Sequence, residues 1–303
     1  MSIAKTLFVA IDKVFKPKQN PRALQKKLSD VQCVKDVVYN EQFSQTLDLY
    51  FMPKDVPYPV IFEIHGGGFA AGDKKYRDCH CRYLAKHTGA MVVNVNYGVG
   101  KENPCPLPMR HLVSAVNWVE QNATKYNLDL SKFVVMGDSA GAFYACFLAA
   151  LQDSAALQEL FECKFTARIT ATVLNCGVYD MTAYLHKRSP LYKSVCKEFL
   201  GVPPKKAVHS KYLDGINLLS HVGQNFPSSF VIYAKKDVFC KGQGEQLVQK
   251  LQEQQVPVEC IFSTTMRANH TYSLVWKSKI AQLTNEQMIN FLNKHFNAEI
   301  SLS

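Results

Sequence analysis

One serine framed by glycines constrains this chain more than any other feature. Gly137-Asp138-Ser139-Ala140-Gly141 follows the apolar run Phe133-Val134-Val135-Met136 and opens a helix-forming run from Ala142 to Leu151. A strand that becomes a helix within five residues must turn sharply. Such a turn strains the backbone of Ser139 and brings the chain against its neighbours, so Gly137 and Gly141 carry no side chain that would clash. It also lifts the Ser139 hydroxyl clear of the sheet and aims the first amides of the helix at whatever that hydroxyl attacks. Strand, Gly-x-Ser-x-Gly and helix in this order form a nucleophile elbow.

A second glycine cluster lies about 70 residues upstream of the elbow. His65-Gly66-Gly67-Gly68-Phe69 follows the apolar run Pro59-Val60-Ile61-Phe62-Glu63-Ile64. Successive glycines let a backbone approach a ligand with its amides turned inward. Attack of a serine on a carbonyl creates a negatively charged oxygen, and inward amides stabilise it.

Strands and helices alternate around these motifs. Strands are expected at 33–39, 46–52, 59–64, 90–97, 132–137, 168–176, 229–235 and 257–263. Helices are expected at 74–88, 109–126, 139–152, 241–255 and 284–296. Residues 1–30 have helical spacing at Ile3, Leu7, Ile11 and Val14-Phe15, with Lys16-Pro17 as the expected break. Near-continuous Val/Ile/Phe runs between amphipathic helices imply a mostly parallel sheet of about eight strands, covered on both faces. No repeat or low-complexity linker interrupts 1–303, so a single α/β domain is expected. Residues 178–228 break the alternation with Pro190, Pro203-Pro204 and Pro227 among aromatic residues, which suggests a lid or pocket wall.

A nucleophilic serine needs a base, and the base needs an orienting acid. Ligands sit beyond the carboxyl ends of a parallel sheet, so the base belongs in a loop after a late strand. His270 meets that condition. His65 belongs to the glycine loop and is expected to orient it. For the acid, Asp237 directly follows Phe230-Val231-Ile232-Tyr233-Ala234, while Asp180 follows Gly177-Val178-Tyr179. Both keep the order Ser, Asp, His. The spacing favours Asp237, and Asp180 stays as the competitor.

Composition narrows the function classes. The net charge is +10, yet the basic residues are scattered as pairs such as Lys26-Lys27 and Lys205-Lys206 rather than gathered into one nucleic-acid-binding run. No apolar run reaches the length of a membrane span. The N-terminal apolar stretch is too short and interrupted for a secretory signal, so the ten cysteines are expected to be reduced thiols in a cytoplasm. Cys79-His80-Cys81 invites a metal, but adjacent residues on a helix splay around its axis. No metal and no cofactor is expected. The oligomeric state is not encoded in any pattern.

His65-Gly66-Gly67-Gly68 together with Gly137-Asp138-Ser139-Ala140-Gly141 resembles the hormone-sensitive-lipase-like branch of the α/β-hydrolase esterases, over residues 40 to 296. The resemblance implies Ser139 as nucleophile, His270 as base and Asp237 as its partner, with oxyanion amides from Gly67, Gly68 and Ala140. It implies a small-molecule ester as substrate, a short acyl group such as acetyl being favoured. An aryl formamide hydrolase and an inactive ligand-binding homologue are the alternatives. Two departures concern the pocket. Where the branch carries Tyr-Arg-Leu-Ala-Pro, this chain has Tyr97-Gly98-Val99-Gly100, and residues 1–30 are short for a full helical cap.

Overall fold

A computed structural model describes residues 1–297. Its framework is one eight-stranded sheet: β1 (Gln32–Asn40), β2 (Gln45–Phe51), β3 (Tyr58–Ile64), β4 (Met91–Val95), β5 (Leu128–Asp138), β6 (Ile169–Asn175), β7 (Ser228–Ala234) and β8 (Val258–Ser263). The spatial order is β1-β2-β4-β3-β5-β6-β7-β8. β2 pairs antiparallel with both neighbours, and every later pairing is parallel.

Alternation along the strands divides the core between the two faces. Val60, Phe62 and Ile64 of β3 point to one apolar cluster, shared with helices Leu107–Gln121 and Ala140–Leu151. Ile61 points to the other, shared with helices Asp78–Thr88 and Lys279–Asn297. All residues of helix Ala140–Leu151 are buried, which explains its composition of alanine, phenylalanine and leucine without a charge.

The element boundaries carry several corrections. Lys16-Pro17 does not break the first helix, which runs Ile3–Gln19 with Pro17 in its last turn. The break comes at Asn20, which precedes Pro21. A proline disfavours the helical region for the residue before it, and Asn20 has φ −124° and ψ 63°. The expected 74–88 helix is a 3₁₀ turn, Lys74–Arg77, followed by helix Asp78–Thr88. Residues 109–126 give a helix two residues earlier, Leu107–Gln121, because Pro108 fits its first turn. Helix Ala155–Phe161, capped by Ser154, has no counterpart in the sequence reading.

Residues 178–228 fold into short helices, Thr182–Leu185, Pro190–Leu200 and Pro204–Ala207, with two 3₁₀ turns. Helix Pro190–Leu200 meets the first helix, where the Ala4 amide donates to Ser194 Oγ at 3.0 Å. Phe8 from the first helix and Leu191, Tyr192 and Val195 from the second then share one cavity wall with Ser139.

Candidate active site

The elbow is built as its glycines demand. Ser139 has φ 54° and ψ −118°, a left-handed backbone that costs an L-residue of order 1–3 kcal/mol. A side chain at Gly137 would strike the backbone of Gly141, and one at Gly141 would strike the Ile64 carbonyl. The Ser139 amide donates to the Asn175 carbonyl at 2.8 Å, which ties the tip of the turn to the end of β6.

Two loops bring the other polar groups to Ser139. His270, beyond β8, places Nε2 2.8 Å from Ser139 Oγ. Its Nδ1 lies 3.0 and 2.9 Å from the two carboxylate oxygens of Asp237, beyond β7. Asp237 Oδ1 also accepts from the amides of Phe239 and Cys240 at 2.9 and 2.8 Å. Asn269 joins the loops, its Oδ1 accepting from the Val238 amide at 3.2 Å and the His270 amide at 2.7 Å. Burial alone would raise the pKa of Asp237, but His270 and the two amides hold it below the usual carboxylate range. Burial works to lower the pKa of His270. The sulfur of Cys240 and the Asp237 carboxylate outweigh it, so the imidazole is a stronger base than usual.

The competitor is elsewhere. Asp180 accepts from the amide and hydroxyl of Thr182 at 2.8 and 2.5 Å, and so starts the helical insertion. Gln243 Oε1 accepts the Asp180 amide at 2.9 Å. Two other histidines are engaged away from Ser139: His111 Nδ1 accepts from the Gly98 amide, and His295 Nε2 lies against the Thr170 hydroxyl.

The glycine loop faces the elbow. Gly67 and Gly68 take φ values of 142° and 59°, and a side chain at Gly68 would collide with the Phe8 ring. Among the described residues, the amides of Gly67, Gly68 and Ala140 donate to no protein acceptor. The Gly66 amide is used structurally, donating to Asp138 Oδ1 at 3.2 Å. His65 is buried and its pKa falls to about 4, chiefly through desolvation, so the ring is neutral. Its Nδ1 lies 2.8 Å from the Gly66 carbonyl, which only accepts, so this nitrogen carries the proton. Tyr97 stacks on the His65 ring at 4.5 Å and its hydroxyl donates to the His65 carbonyl at 2.7 Å. The departing Tyr97-Gly98-Val99-Gly100 stretch thus braces the loop, with the Gly100 amide donating to the Phe69 carbonyl at 2.8 Å.

Sequence reasoning missed Arg77. Its Nε and Nη2 each lie 2.6 Å from one oxygen of Asp138, a two-pronged pair with both partners buried. Burial alone would raise the Asp138 pKa, and Arg77 lowers it below the ordinary range. Asp138 therefore carries the glycine loop on one oxygen and Arg77 on both. No local signal marks Arg77, which follows Lys74-Lys75 and stands 61 positions from its partner.

One further group lies close by. Ligand-capable atoms of Cys176, Asp237 and His270 fall within 4.8 Å of one another. The hydrogen bond between Asp237 and His270 already engages the atoms that an ion would need. Cys79, His80 and Cys81 form no such group among the described residues.

Two cavities flank the reactive pair. One, of about 20 Å³, is lined by Ser139, Gly68, Phe8, Phe69, Leu191 and Tyr192, among others. The other, of about 460 Å³, is lined by His270 and by residues of the first helix and of the loops after β7 and β8. Phe239 borders both, its ring edge-on to His270 at 5.0 Å and 5.5 Å from Phe8.

The sequence is similar to several known esterases in part of its length. It is 36% identical over 97 residues to esterase LipI of Mycobacterium tuberculosis, covering 32% of this chain and 30% of that protein. It is 25% identical over 228 residues to the probable carboxylic ester hydrolase LipM of the same organism, covering 74% of this chain and 51% of that protein. An acetyl esterase of Salmonella schwarzengrund is 30% identical over 95 residues, covering 31% and 29%. The chain thus spans between about a third and a half of these relatives' lengths. Among solved structures, esterase B from Lactobacillus rhamnosis superposes with a TM-score of 0.74 at 21% identity, covering 96% of both chains. The Pyrobaculum calidifontis esterase gives 0.72 at 20% identity, covering 96% of this chain and 94% of that one. At such identities the likeness is one of fold. The family described as alpha/beta hydrolase fold matches residues 61–272, more than half of the sequence, and this chain belongs to that family.

Proposed function

We propose that the protein is a serine hydrolase that cleaves short-chain, acetyl-type carboxylic esters through an acyl-enzyme. The observation that carries this reading is the unbroken chain Ser139 Oγ, His270 Nε2, His270 Nδ1, Asp237, with contacts of 2.8 and 2.9 Å. Neutral His270 takes the Ser139 proton as Oγ attacks the ester carbonyl. The resulting oxyanion meets the undonated amides of Gly67, Gly68 and Ala140, and each such donor is worth roughly 3–4 kcal/mol of barrier. The imidazolium, stabilised by Asp237, then returns its proton to the departing alcohol. Water activated by the same nitrogen releases the acid and restores Ser139.

The acyl group goes to the side of the serine and the oxyanion amides, and the alcohol to the side of the histidine that protonates it. The 20 Å³ cavity on the serine side takes about one or two water-sized groups, which fits acetyl. The names of the esterase relatives support the same chemistry. We assign residues 178–228 as a lid that completes this cavity within a single domain. All ten cysteines are free thiols, which supports a reducing, cytoplasmic setting. Among the described residues no helix is long and apolar enough to cross a membrane.

The test is turnover of p-nitrophenyl acetate, butyrate, octanoate and laurate beside N-formyl-kynurenine, with mass-spectrometric mapping of a fluorophosphonate adduct. Labelling at Ser139 and a maximum at two to four acyl carbons are expected. Faster turnover of the formamide than of every ester would replace this reading with formamide hydrolysis.

A further inference from the structure

We infer that the ester's leaving group is an anion: an alcohol or phenol that carries a carboxylate, phosphate or similar negative group. The inference rests on the esterase reading above and adds the chemistry of the departing half. A general acid must stand beside the oxygen that it protonates, so the alcohol occupies the cavity that His270 lines. That cavity holds about 460 Å³, ample for an aromatic or small alicyclic alcohol.

Its walls have an unusual charge pattern. Ile11, Phe15, Phe239 and Val275 supply apolar wall, and Lys18 and Arg267 place two cations among the lining residues beside His270. No aspartate or glutamate lines it. Neither cation has a carboxylate within ion-pair distance among the described residues. Elsewhere in the molecule exposed cations do have one, such as Lys86 with Asp30 and Lys211 with Glu162. Lys18 extends from the last turn of the first helix, with Nζ 4.8 Å from the Phe15 ring centre, and Arg267 projects from the loop that leads into His270. Two cations of one sign on separate elements, bordering a low-dielectric wall, focus the field into the cavity and favour an anion there. Both are exposed, so the preference is sensitive to salt.

The experiment uses acetyl esters that differ only in the charge of the leaving phenol. These are 4-acetoxybenzoate and 4-acetoxyphenyl phosphate as anions, 4-acetoxybenzamide as the neutral analogue and 4-acetoxyphenyl-trimethylammonium as the cation. The readout is the ratio of kcat/KM for each anion to that for the neutral ester. Comparison of wild type with Lys18→Gln/Arg267→Gln cancels the intrinsic reactivity of each ester. The ratio should fall about tenfold in the double variant, and in wild type it should shrink as sodium chloride rises. The larger effect between carboxylate and phosphate identifies the anion. Lys18→Glu/Arg267→Glu should invert the preference toward the cation. A ratio equal in wild type and double variant overturns the inference and leaves esterase activity standing. Failure of wild type to cleave any of the four esters overturns both.

Discussion

The two cavities beside Ser139 and His270 differ more than twentyfold in volume, about 20 against 460 Å³, although Phe239 separates them. The small one is set in packed aromatic core. Phe69 stands 4.6 Å from Phe199 and 5.4 Å from Phe143, ring centre to ring centre, and Phe8 closes the cavity over Gly68. The large one is bounded by one exposed helix face and two loop ends, with charge at its edge. Interiors packed at crystal density accept a methylene only by moving neighbours, whereas loop-bounded clefts accept varied shapes. Under the proposed ester hydrolysis, volume selects the acid half of the substrate and charge the alcohol half.

The strongest test is of what the two sides share. Ser139→Ala should lower turnover of every ester on the order of a millionfold, whatever its acyl or alcohol part, since both halves react at one oxygen. Steady-state assays with burst titration measure this, and residual activity above a tenth of wild type would remove the serine from the mechanism.

Asp237→Asn comes next, with an expected loss of about ten-thousandfold in kcat and little change in KM. It also moves the pH profile. His270 must be neutral to act as base, so kcat/KM rises with pH through its pKa. The Asp237 charge helps to raise that pKa. The acid limb of wild type should therefore have its midpoint above the ordinary histidine value of about 6.5, and that of the asparagine variant should lie lower. A midpoint shifted upward in the variant would contradict the assigned electrostatics.

A smaller effect separates the two cavities. Leu191→Ala enlarges the acyl side at a partly exposed wall position. Room for about two more buried methylenes, at about 0.8 kcal/mol each, should raise relative kcat/KM for hexanoate over acetate about tenfold. The dependence on leaving-group charge should not change. A profile in which acyl length and alcohol charge shift together would merge the cavities into one site.

The smallest effect belongs to Asp180→Asn. It loosens the turn that starts the insertion and should cost about 1 kcal/mol of stability in denaturant melts, with turnover within a few-fold. A loss as large as that of Asp237→Asn would reverse the two assignments.

Much of this site was legible because its signals are local. Two glycine clusters mark where backbone must pass close to backbone, and a loop position after a late strand marks His270. The expected strands match β1 to β8 within a few residues. Arg77 and Phe8 were not legible as site residues. Each acts through a partner far along the chain, and an arginine in a basic stretch or a phenylalanine on an amphipathic helix has many equivalent fates. The acid could be narrowed but not decided, because Asp180 and Asp237 both follow strands. What separates them is that Asn269 binds the Val238 amide and so joins the Asp237 loop to the histidine loop. Pro21, not Pro17, sets the end of the first helix: Pro17 costs one backbone hydrogen bond within the last turn, whereas Pro21 forces Asn20 out of the helical region.

The fork from Arg77 to Asp138 bears on how the protein responds to heating. Asp138 sits next to Ser139 and also holds the Gly66 amide, so the glycine loop and the elbow hang from one buried carboxylate. Parting the loop from the elbow breaks the Gly66–Asp138 contact, a hydrogen bond to a buried charge worth on the order of 1.5–3 kcal/mol. That contact should oppose local opening of the site before the domain as a whole unfolds. Activity should persist on warming until the whole domain melts, so the curves of lost turnover and lost ellipticity should superimpose.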